Sequence, residues 1–203
     1  MKFPGFVLGY HGCDRLVGER VLAGTDDILV STNSHDWLGS GAYFWENNPA
    51  RAQAWSKFLA KDSRPEGPRI REPFVVGAII DPGNCLDLAE KSSLDLVKSA
   101  YGSYVEVCEA EGIEIPQNES AFKGDADLVK RFLDCAVLNF LHQLREGLSE
   151  PPFDTIRAPF LEGGELFPGS KLAAKSHVQW CVRDPKKSVI GYFLPRNYAA
   201  IES

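Results

Sequence analysis

The stretch Asp36-Trp-Leu-Gly-Ser-Gly-Ala-Tyr-Phe-Trp-Glu46 joins two glycines to an aromatic run. Aromatic residues are enriched in strands, so residues 41–45 predict a strand. The preceding residues 31–40 are rich in Ser, Thr, Asn, Asp and Gly, a composition typical of a loop. The paired glycines lack the third glycine of a dinucleotide-binding fingerprint, so they do not by themselves predict a phosphate loop.

The segment after this strand predicts a helix that begins near Asn48-Pro49, because proline is favoured in the first helical turn. Its apolar residues Ala52, Trp55 and Leu59 recur at steps of three and four, so we expect them to share one face. Tyr43 and Trp55 are then two rings on adjacent elements. Such a pair could sandwich a flat heterocycle, and the alternative is an aromatic mini-core.

The rest of the chain predicts strands on both sides of a helical section at about 87–148. The order shows no regular alternation of strands and helices, which favours an α+β fold with a largely antiparallel sheet. No linker or repeat divides the chain, so we expect a single domain over residues 1–203. The strands predicted before and after this helical section, besides 41–45, are 6–10, 74–80, 153–161, 177–182 and 189–193. The two helical stripes are Leu94, Val97, Tyr101, Val105 and Cys108, and Leu128, Phe132, Ala136, Phe140 and Leu144.

Composition excludes several classes of protein. The chain has 203 residues, 44% of them hydrophobic and 25% charged, an ordinary globular balance. A net charge of −6 disfavours a broad electrostatic nucleic-acid binder, although a basic stretch around Arg64, Arg69 and Arg71 leaves local contacts open. No run approaches the ~20 apolar residues of a membrane span, so we expect no membrane association.

The cysteines and histidines predict a compartment rather than a metal site. Five cysteines are scattered without a Cys-x-x-Cys pair, and the four histidines do not cluster at metal-binding spacing. We therefore expect no metal and a reducing cytoplasmic location. The N-terminal residues predict a first strand and not a signal peptide.

Two further segments are more polar than a plain core requires. In Gly9-Tyr-His-Gly-Cys13, His11 is expected where a strand emerges into a loop, and Gly12 would let a ligand approach the backbone. The alternative is a turn with a satisfied histidine. In residues 176–185, strand alternation predicts Val178, Trp180 and Val182 on one face, with His177, Gln179 and Cys181 on the other. A buried Gln179 needs partners, which could be a ligand hydroxyl or neighbouring backbone.

Tyr10-His11-Gly12, Gly39-Ser-Gly-Ala-Tyr43-Phe44 and the Gln179 strand together resemble the ADP-ribosyltransferase superfamily, on the side of diphtheria toxin and the poly(ADP-ribose) polymerases. This branch carries a His-Tyr-Glu set in the same order along the chain. The resemblance implies a split antiparallel β-sheet core, with the section at about 87–148 as a helical insertion. It also implies an enzyme that cleaves NAD, its substrate, and transfers ADP-ribose.

The resemblance implies a role for each matching residue. The catalytic set would be His11, Tyr43 and Gln179. His11 would bond the adenosine ribose, and the backbone of Gly12 would hold the nicotinamide amide. Tyr43 and Trp55 would sandwich the nicotinamide ring. Trp55 stands one residue further along than the family spacing suggests.

The departure from the family lies at Gln179, where the family most often has Glu. An amide oxygen can accept a ribose hydroxyl, but it carries no charge and cannot act as a general base. In the polymerising members of the family this Glu also activates the acceptor for chain elongation, so the resemblance implies transfer of single ADP-ribose units here. Glu162 or Glu165 could supply the missing carboxylate, although a solvated surface acid is favoured for both. Arg157 could bind a cofactor phosphate or balance Asp154, and a structural salt bridge is favoured.

The function predicted from the sequence is an NAD-dependent mono-ADP-ribosyltransferase, of a kind that would suit a bacterial toxin or effector with an antitoxin or immunity partner. The acceptor stays open among a protein, a nucleic acid and a small molecule. The alternatives are an NAD glycohydrolase and a non-catalytic NAD- or ADP-ribose-binding module. A thiol hydrolase built on Cys13 with His11 or His177 has no supporting acid or oxyanion pattern.

Overall fold

The structure, a computed structural model, describes residues 5–61, 70–120 and 127–196. Seven strands and five helices lie in these ranges. In chain order they are β1 (Val7–Asp14), α1 (Arg15–Leu22), β2 (Ala42–Glu46), α2 (Pro49–Lys61), β3 (Pro73–Ile80), β4 (Cys85–Asp87), α3 (Lys91–Glu111), α4 (Phe132–Gly147), β5 (Thr155–Phe160), β6 (His177–Val182), α5 (Pro185–Ser188) and β7 (Val189–Phe193).

All seven strands form one sheet in the order β4-β5-β6-β2-β1-β3-β7. Every neighbouring pair is antiparallel except β4 and β5, which are parallel. The parallel pair needs a long crossover connection, and α3 and α4 lie in it. The predicted α+β class with a largely antiparallel sheet is confirmed.

The sheet buries both of its faces. One face packs with α1 around a cluster that contains Val21, Phe44, Val76 and Trp180. The opposite face packs against α4 and α3 around Leu138, Leu141 and Ala100, together with Cys181, and against α2 at Ala52 and Trp45. Alternate residues of each strand therefore enter different cores, as the period of two requires.

The first strand is longer than the sequence predicts. It pairs with β3 continuously from Val7↔Ile80 to Asp14↔Pro73, so His11 lies within the strand and not where it enters a loop. The expectation for His11 is wrong because β3 offers a ladder partner for every residue of β1 through Asp14. That partner is distant in sequence and leaves no local pattern.

The apolar stripes of two helices differ from the residues that are buried, in part for α2 and wholly for α4. On α2 the buried residues are Ala52, Gln53 and Ser56, whereas Trp55 is 44% exposed. On α4 none of the predicted stripe is fully buried, and Leu128 precedes the helix and is exposed. The reason is that α4 packs on two neighbours at once, with Phe140 against Tyr104 of α3. The residues of α4 that are buried are Cys135, Val137, Leu138, Leu141 and His142.

Two further predictions concern the basic stretch and a membrane span. Arg64 and Arg69 lie outside the described residues, so the basic stretch is represented only by Arg71. No helix in the described ranges combines the length and apolar character that crossing a membrane would need.

Candidate functional site

The sheet opens between β1 and β2, in the middle of the strand order. Their ladder consists of Gly9↔Glu46 and Tyr10↔Trp45 only. Beyond Tyr10 the backbone ladder between the two strands ends. A side chain connects them there, because Nδ1 of His11 lies 2.7 Å from the carbonyl oxygen of Tyr43. A carbonyl accepts only, so this nitrogen carries the proton and donates it. The imidazole thus bridges two strands that have stopped pairing.

Gly12 directs its backbone toward this opening. The N–H of Asn47 donates to the C=O of Leu8 across 3.0 Å, so Leu8 turns its polar groups toward β2. Alternate residues of an antiparallel strand face the same edge, so Tyr10 and Gly12 do likewise. Gly12 has no ladder partner on β2, which leaves its N–H and C=O facing the gap.

Only glycine fits at this position. A Cβ on Gly12 would lie 2.2 Å from the carbonyl oxygen of Ala52 and 3.1 Å from Cβ of Ser56. The close approach of α2 to β1 therefore depends on the missing side chain. The packing of α2 on β1 therefore requires glycine at position 12, and the same residue has an unpaired backbone edge.

His11 is half-buried, and its ring contacts Phe44 at a centroid distance of 5.8 Å. Burial lowers the pKa of the imidazole below its ordinary value, although the bond to the Tyr43 carbonyl acts in the opposite direction. The ring is therefore neutral at pH 7, with Nε2 available as an acceptor.

Tyr43 holds the loop that precedes its own strand. Its hydroxyl donates to the C=O of Gly39 across 2.6 Å and accepts from the N–H of Leu38 across 2.8 Å. Burial raises the pKa of the phenol well above its ordinary value, so it stays protonated. Gly39 has a positive φ of 77°, and a Cβ on Gly41 would lie 2.3 Å from Sγ of Cys181. The Gly-x-Gly-x-Tyr pattern therefore has a structural basis in this turn.

Trp45, which the sequence reasoning did not single out, lies between two of the predicted site residues. It pairs with Gln179 in the β2–β6 ladder. Its ring centroid is 6.2 Å from that of Trp55, which stacks in turn on Phe58 at 5.6 Å. The rings of Tyr43 and Trp55 do not contact each other, and Tyr43 packs instead against the α4 side of the core. Alternation in β2 places Trp45 on the same face as Tyr43, and that signal could have identified it.

The predicted alternation in β6 is confirmed. Trp180 and Val182 enter the core on the α1 side, while Cys181 enters the opposite core. Gln179 is 9% exposed and faces the same side as Cys181 and His177. The structure therefore brings Gln179 close to Trp45 and places His11, Gly12 and Tyr43 together at the opening.

A second group of polar side chains lies beside Gln179. Nη2 of Arg51, on α2, is 2.5 Å from Oε1 of Glu162, and that oxygen is 4.0 Å from Nδ1 of His177. The Glu162 side chain is only 14% exposed, so the favoured expectation of a solvated surface acid is wrong for it. The sequence could not show this, because the ion pair joins residues far apart in the chain. Glu165 is exposed, and its carboxylate accepts from the N–H of Gly169.

Arg157 forms a salt bridge, as the sequence analysis favoured, but with different partners. Its guanidinium contacts Glu46 at 2.6 Å and Asp87 at 3.3 Å. Asp154 pairs with Lys187 instead. The balancing of Asp154 by Arg157 is therefore wrong, because Asp87 on the adjacent strand β4 and Glu46 on β2, beyond β6, lie next to Arg157.

The buried cysteines do not have the properties of a nucleophile. Burial raises the pKa of Cys13 to about 12 and that of Cys181 to about 12. Both thiols are therefore protonated at pH 7, whereas the thiolate is the reactive form. All five cysteines are buried, and none of them forms a disulfide.

Two cavities lie next to Trp37, whose ring centroid is 6.1 Å from that of His177. One of about 240 Å³ is bounded by Trp37, Arg131 and Glu162, among others. The other, about 640 Å³, is a mainly apolar groove between α3, α4 and β5. Trp37, Arg131 and Leu161 line both cavities, whereas His11, Tyr43, Trp55 and Gln179 line neither.

Comparison with protein-family models, with curated proteins and with solved structures finds no match to this chain.

Proposed function

We propose that this protein is an NAD-dependent mono-ADP-ribosyltransferase that uses the opening between β1 and β2. The observation that carries the proposal is the unpaired backbone edge of Gly12 next to the His11–Tyr43 contact. One N–H and one C=O side by side are complementary to a primary carboxamide, which offers one oxygen acceptor and N–H donors. Nicotinamide carries such a group.

The opening also supports an ADP-ribosyltransferase-like split sheet. With only two ladder pairs between β1 and β2, the sheet divides into β4-β5-β6-β2 and β1-β3-β7. The other strand pairs nearest the centre are longer, with four between β2 and β6 and eight between β1 and β3. A ligand bound at the division would contact both halves.

The residues around the opening suit the cleavage of NAD. As nicotinamide leaves, positive charge develops on the ribose, and the site must hold both ends of the molecule. The neutral His11 would bond an adenosine ribose hydroxyl, and the Gln179 amide oxygen would accept a hydroxyl of the nicotinamide ribose. The exposed ring of Trp55 would stack on nicotinamide, and Trp45 would lie beneath it in place of Tyr43.

The compartment and partners belong to the same proposal. Five cysteines without a disulfide suit a reducing cytoplasm. A role as a toxin or effector, with an antitoxin or immunity partner, stays a prediction from the resemblance alone.

The direct test is to incubate the purified protein with NAD labelled on the adenine side and a cell lysate. Label on a macromolecule together with free nicotinamide would support transfer. Free nicotinamide and ADP-ribose without labelling would point to a glycohydrolase, and bound NAD without turnover to a binding module. Failure of NAD to bind in calorimetry would overturn the proposal.

A variant of His11 ties the activity to the opening. We expect His11→Ala to weaken NAD binding about tenfold, because a hydrogen bond to the ligand contributes on the order of 1 kcal/mol. His35→Ala is the matched control, since His35 is half-buried but packs against Phe132 on α4. Equal affinities for NAD in the two variants would place the binding site elsewhere.

A further inference from the structure

His177 carries a buried acceptor that nothing in the described residues satisfies. Its Nδ1 lies 2.8 Å from the carbonyl oxygen of Lys175, so Nδ1 carries the proton and donates it. In the neutral ring Nε2 is then a bare lone pair. This atom is buried and has no hydrogen-bond partner among the described residues, and His177 as a whole is 8% exposed. Unsatisfied buried acceptors are rare because each costs free energy.

A buried donor without an acceptor lies next to it. Nε1 of Trp45 is buried and has no partner among the described residues. The ring centroids of Trp45 and His177 are 6.4 Å apart. An indole N–H and an imidazole lone pair together complement one hydroxyl group, which both accepts and donates. Neither an ammonium, which only donates, nor a carboxylate, which only accepts, would satisfy both.

We propose that His177 is the general base of the transfer and that the acceptor is an uncharged hydroxyl, from water, a sugar or an alcohol side chain. This inference rests on the proposed function. His177 stands two residues before Gln179 on the same face of β6, so its Nε2 lies on the side of the strand where the ribose would bind. It supplies the proton acceptor that a glutamine cannot provide.

The step balances in atoms and charge. The bond between the ribose anomeric carbon and the nicotinamide nitrogen breaks, and its electron pair leaves with neutral nicotinamide. The hydroxyl oxygen of the acceptor bonds to the anomeric carbon, and its proton passes to Nε2 of His177. The imidazolium then releases this proton to solvent. No oxidant, metal or further reactant enters.

The charged groups around His177 keep it neutral before the reaction. Arg51 on α2 and Arg131 before α4 face the ring with positive charge, and Glu162 after β5 faces it with negative charge. Burial and the two arginines lower the pKa of His177, while the Lys175 carbonyl and Glu162 raise it, and the net result lies below the ordinary value. The same arginines would repel a lysine or arginine side chain as acceptor, which is consistent with an uncharged hydroxyl.

The experiment uses water and methanol as acceptors, so that no natural acceptor is needed. NAD turnover is followed by nicotinamide release and by the yields of ADP-ribose and its methyl glycoside. We expect His177→Gln to lower both product yields about 100-fold or more, the range of general base catalysis, with the Kd for NAD unchanged. His142→Gln is the matched control, because His142 is also 8% exposed and its ring nitrogens have no partner among the described residues, but it is a residue of α4 and its ring contacts Phe153.

The pH profile of the unaltered protein gives a second readout that does not depend on a variant folding. Turnover should fall as the pH drops through a pKa below 6.5, where His177 becomes protonated, and His142→Gln should keep this limb. The role of His177 would be overturned if turnover by His177→Gln stayed within threefold of the unaltered protein, or if turnover by the unaltered protein did not fall at low pH. NAD binding would in that case still support the proposed function. Absence of NAD binding by the unaltered protein would overturn both.

Discussion

The two faces of the sheet each carry a cluster of charged side chains, and the clusters differ in how completely their polar atoms are satisfied. On the α1 side, Arg157 contacts both Glu46 and Asp87, and the indole N–H of Trp180 donates to Glu46 across 2.7 Å. On the α2 side, Arg51 pairs with Glu162, while Nε of Arg51, Nε2 of His177 and Nε1 of Trp45 have no partner in the described residues.

The same residue types thus serve two purposes. A satisfied network stabilises the fold, because each buried charge has compensating partners. A cluster with unpaired buried atoms costs free energy, and proteins retain such strain mainly at binding and catalytic sites. The presence of Arg, Trp and a carboxylate therefore does not distinguish the two clusters, whereas the buried atoms on the α2 side that lack a partner in the described residues do.

The largest expected effect on stability comes from breaking the satisfied cluster. Arg157→Met leaves Glu46 and Asp87 without their main partner, and we expect the free energy of unfolding to fall by about 3 kcal/mol. Arg51→Met should cost about 1 kcal/mol, because Arg51 has one carboxylate partner and an unpartnered Nε. Urea denaturation followed by circular dichroism measures both. Equal losses would remove the distinction between the clusters.

The two clusters should also lose stability in different ranges of pH. The pKa of Glu46 lies below its ordinary value because Arg157 and Trp180 bond its carboxylate, so its contribution is lost as the pH falls below about 4.5. His177 and His11 have lowered pKa values because they are buried neutral, and burial lowers that of His142 to about 3. An unfolded histidine binds a proton near pH 6.5, so these three contributions begin to disappear below that pH.

Urea unfolding at a series of pH values measures this. Stability should decline from about pH 6.5 downward, with a slope of up to about 1.4 kcal/mol per pH unit for each histidine. His177→Gln should reduce that slope, and the further decline below about pH 4.5 should persist. A stability that is constant between pH 6.5 and 5 would contradict the buried neutral state of these histidines.

A matched pair of glutamates tests the charge that faces His177 and Arg51. Glu162→Gln removes the negative charge that faces His177 and Arg51, and we expect turnover of NAD to fall about tenfold, or about 1.4 kcal/mol. Glu165→Gln changes an exposed carboxylate in the same loop and should leave turnover unchanged. Nicotinamide release under saturating NAD measures both. A similar loss in the two variants would indicate a general effect of the loop and not of the cluster.

Local periodicity accounts for what the sequence could predict. Trp180 and Gln179 face opposite sides of the sheet, and this follows once residues 177–182 are known to form a strand, because successive side chains of a strand alternate. The buried residues of α4, and in part those of α2, differ from the apolar stripes of these helices, since helix burial depends on which neighbours pack on each side. The α+β class depends only on the order of elements and was predicted correctly.

The candidate site was predicted in part for the same reason. The motifs identified His11, Tyr43 and Gln179 as candidate site residues. The side chains that surround them depend on contacts between distant parts of the chain. Arg51 and Glu162 are 111 positions apart, and no local pattern joins them. The unpaired edge of Gly12 likewise depends on where β2 departs from β1, which the pairing of β2 with β6 decides.

The interior position of β6 in the sheet determines when the candidate site is complete during synthesis. The ladder pair Trp45↔Gln179 joins an early strand to a late one. Pairs this distant in the chain form late in folding, because closing the intervening loop costs entropy before the contact stabilises the fold. A polypeptide still emerging from the ribosome contains β1, β2 and α2 before β6 exists. The nascent chain therefore lacks Gln179 and His177, and the proposed site is complete only once β6 has been translated and paired.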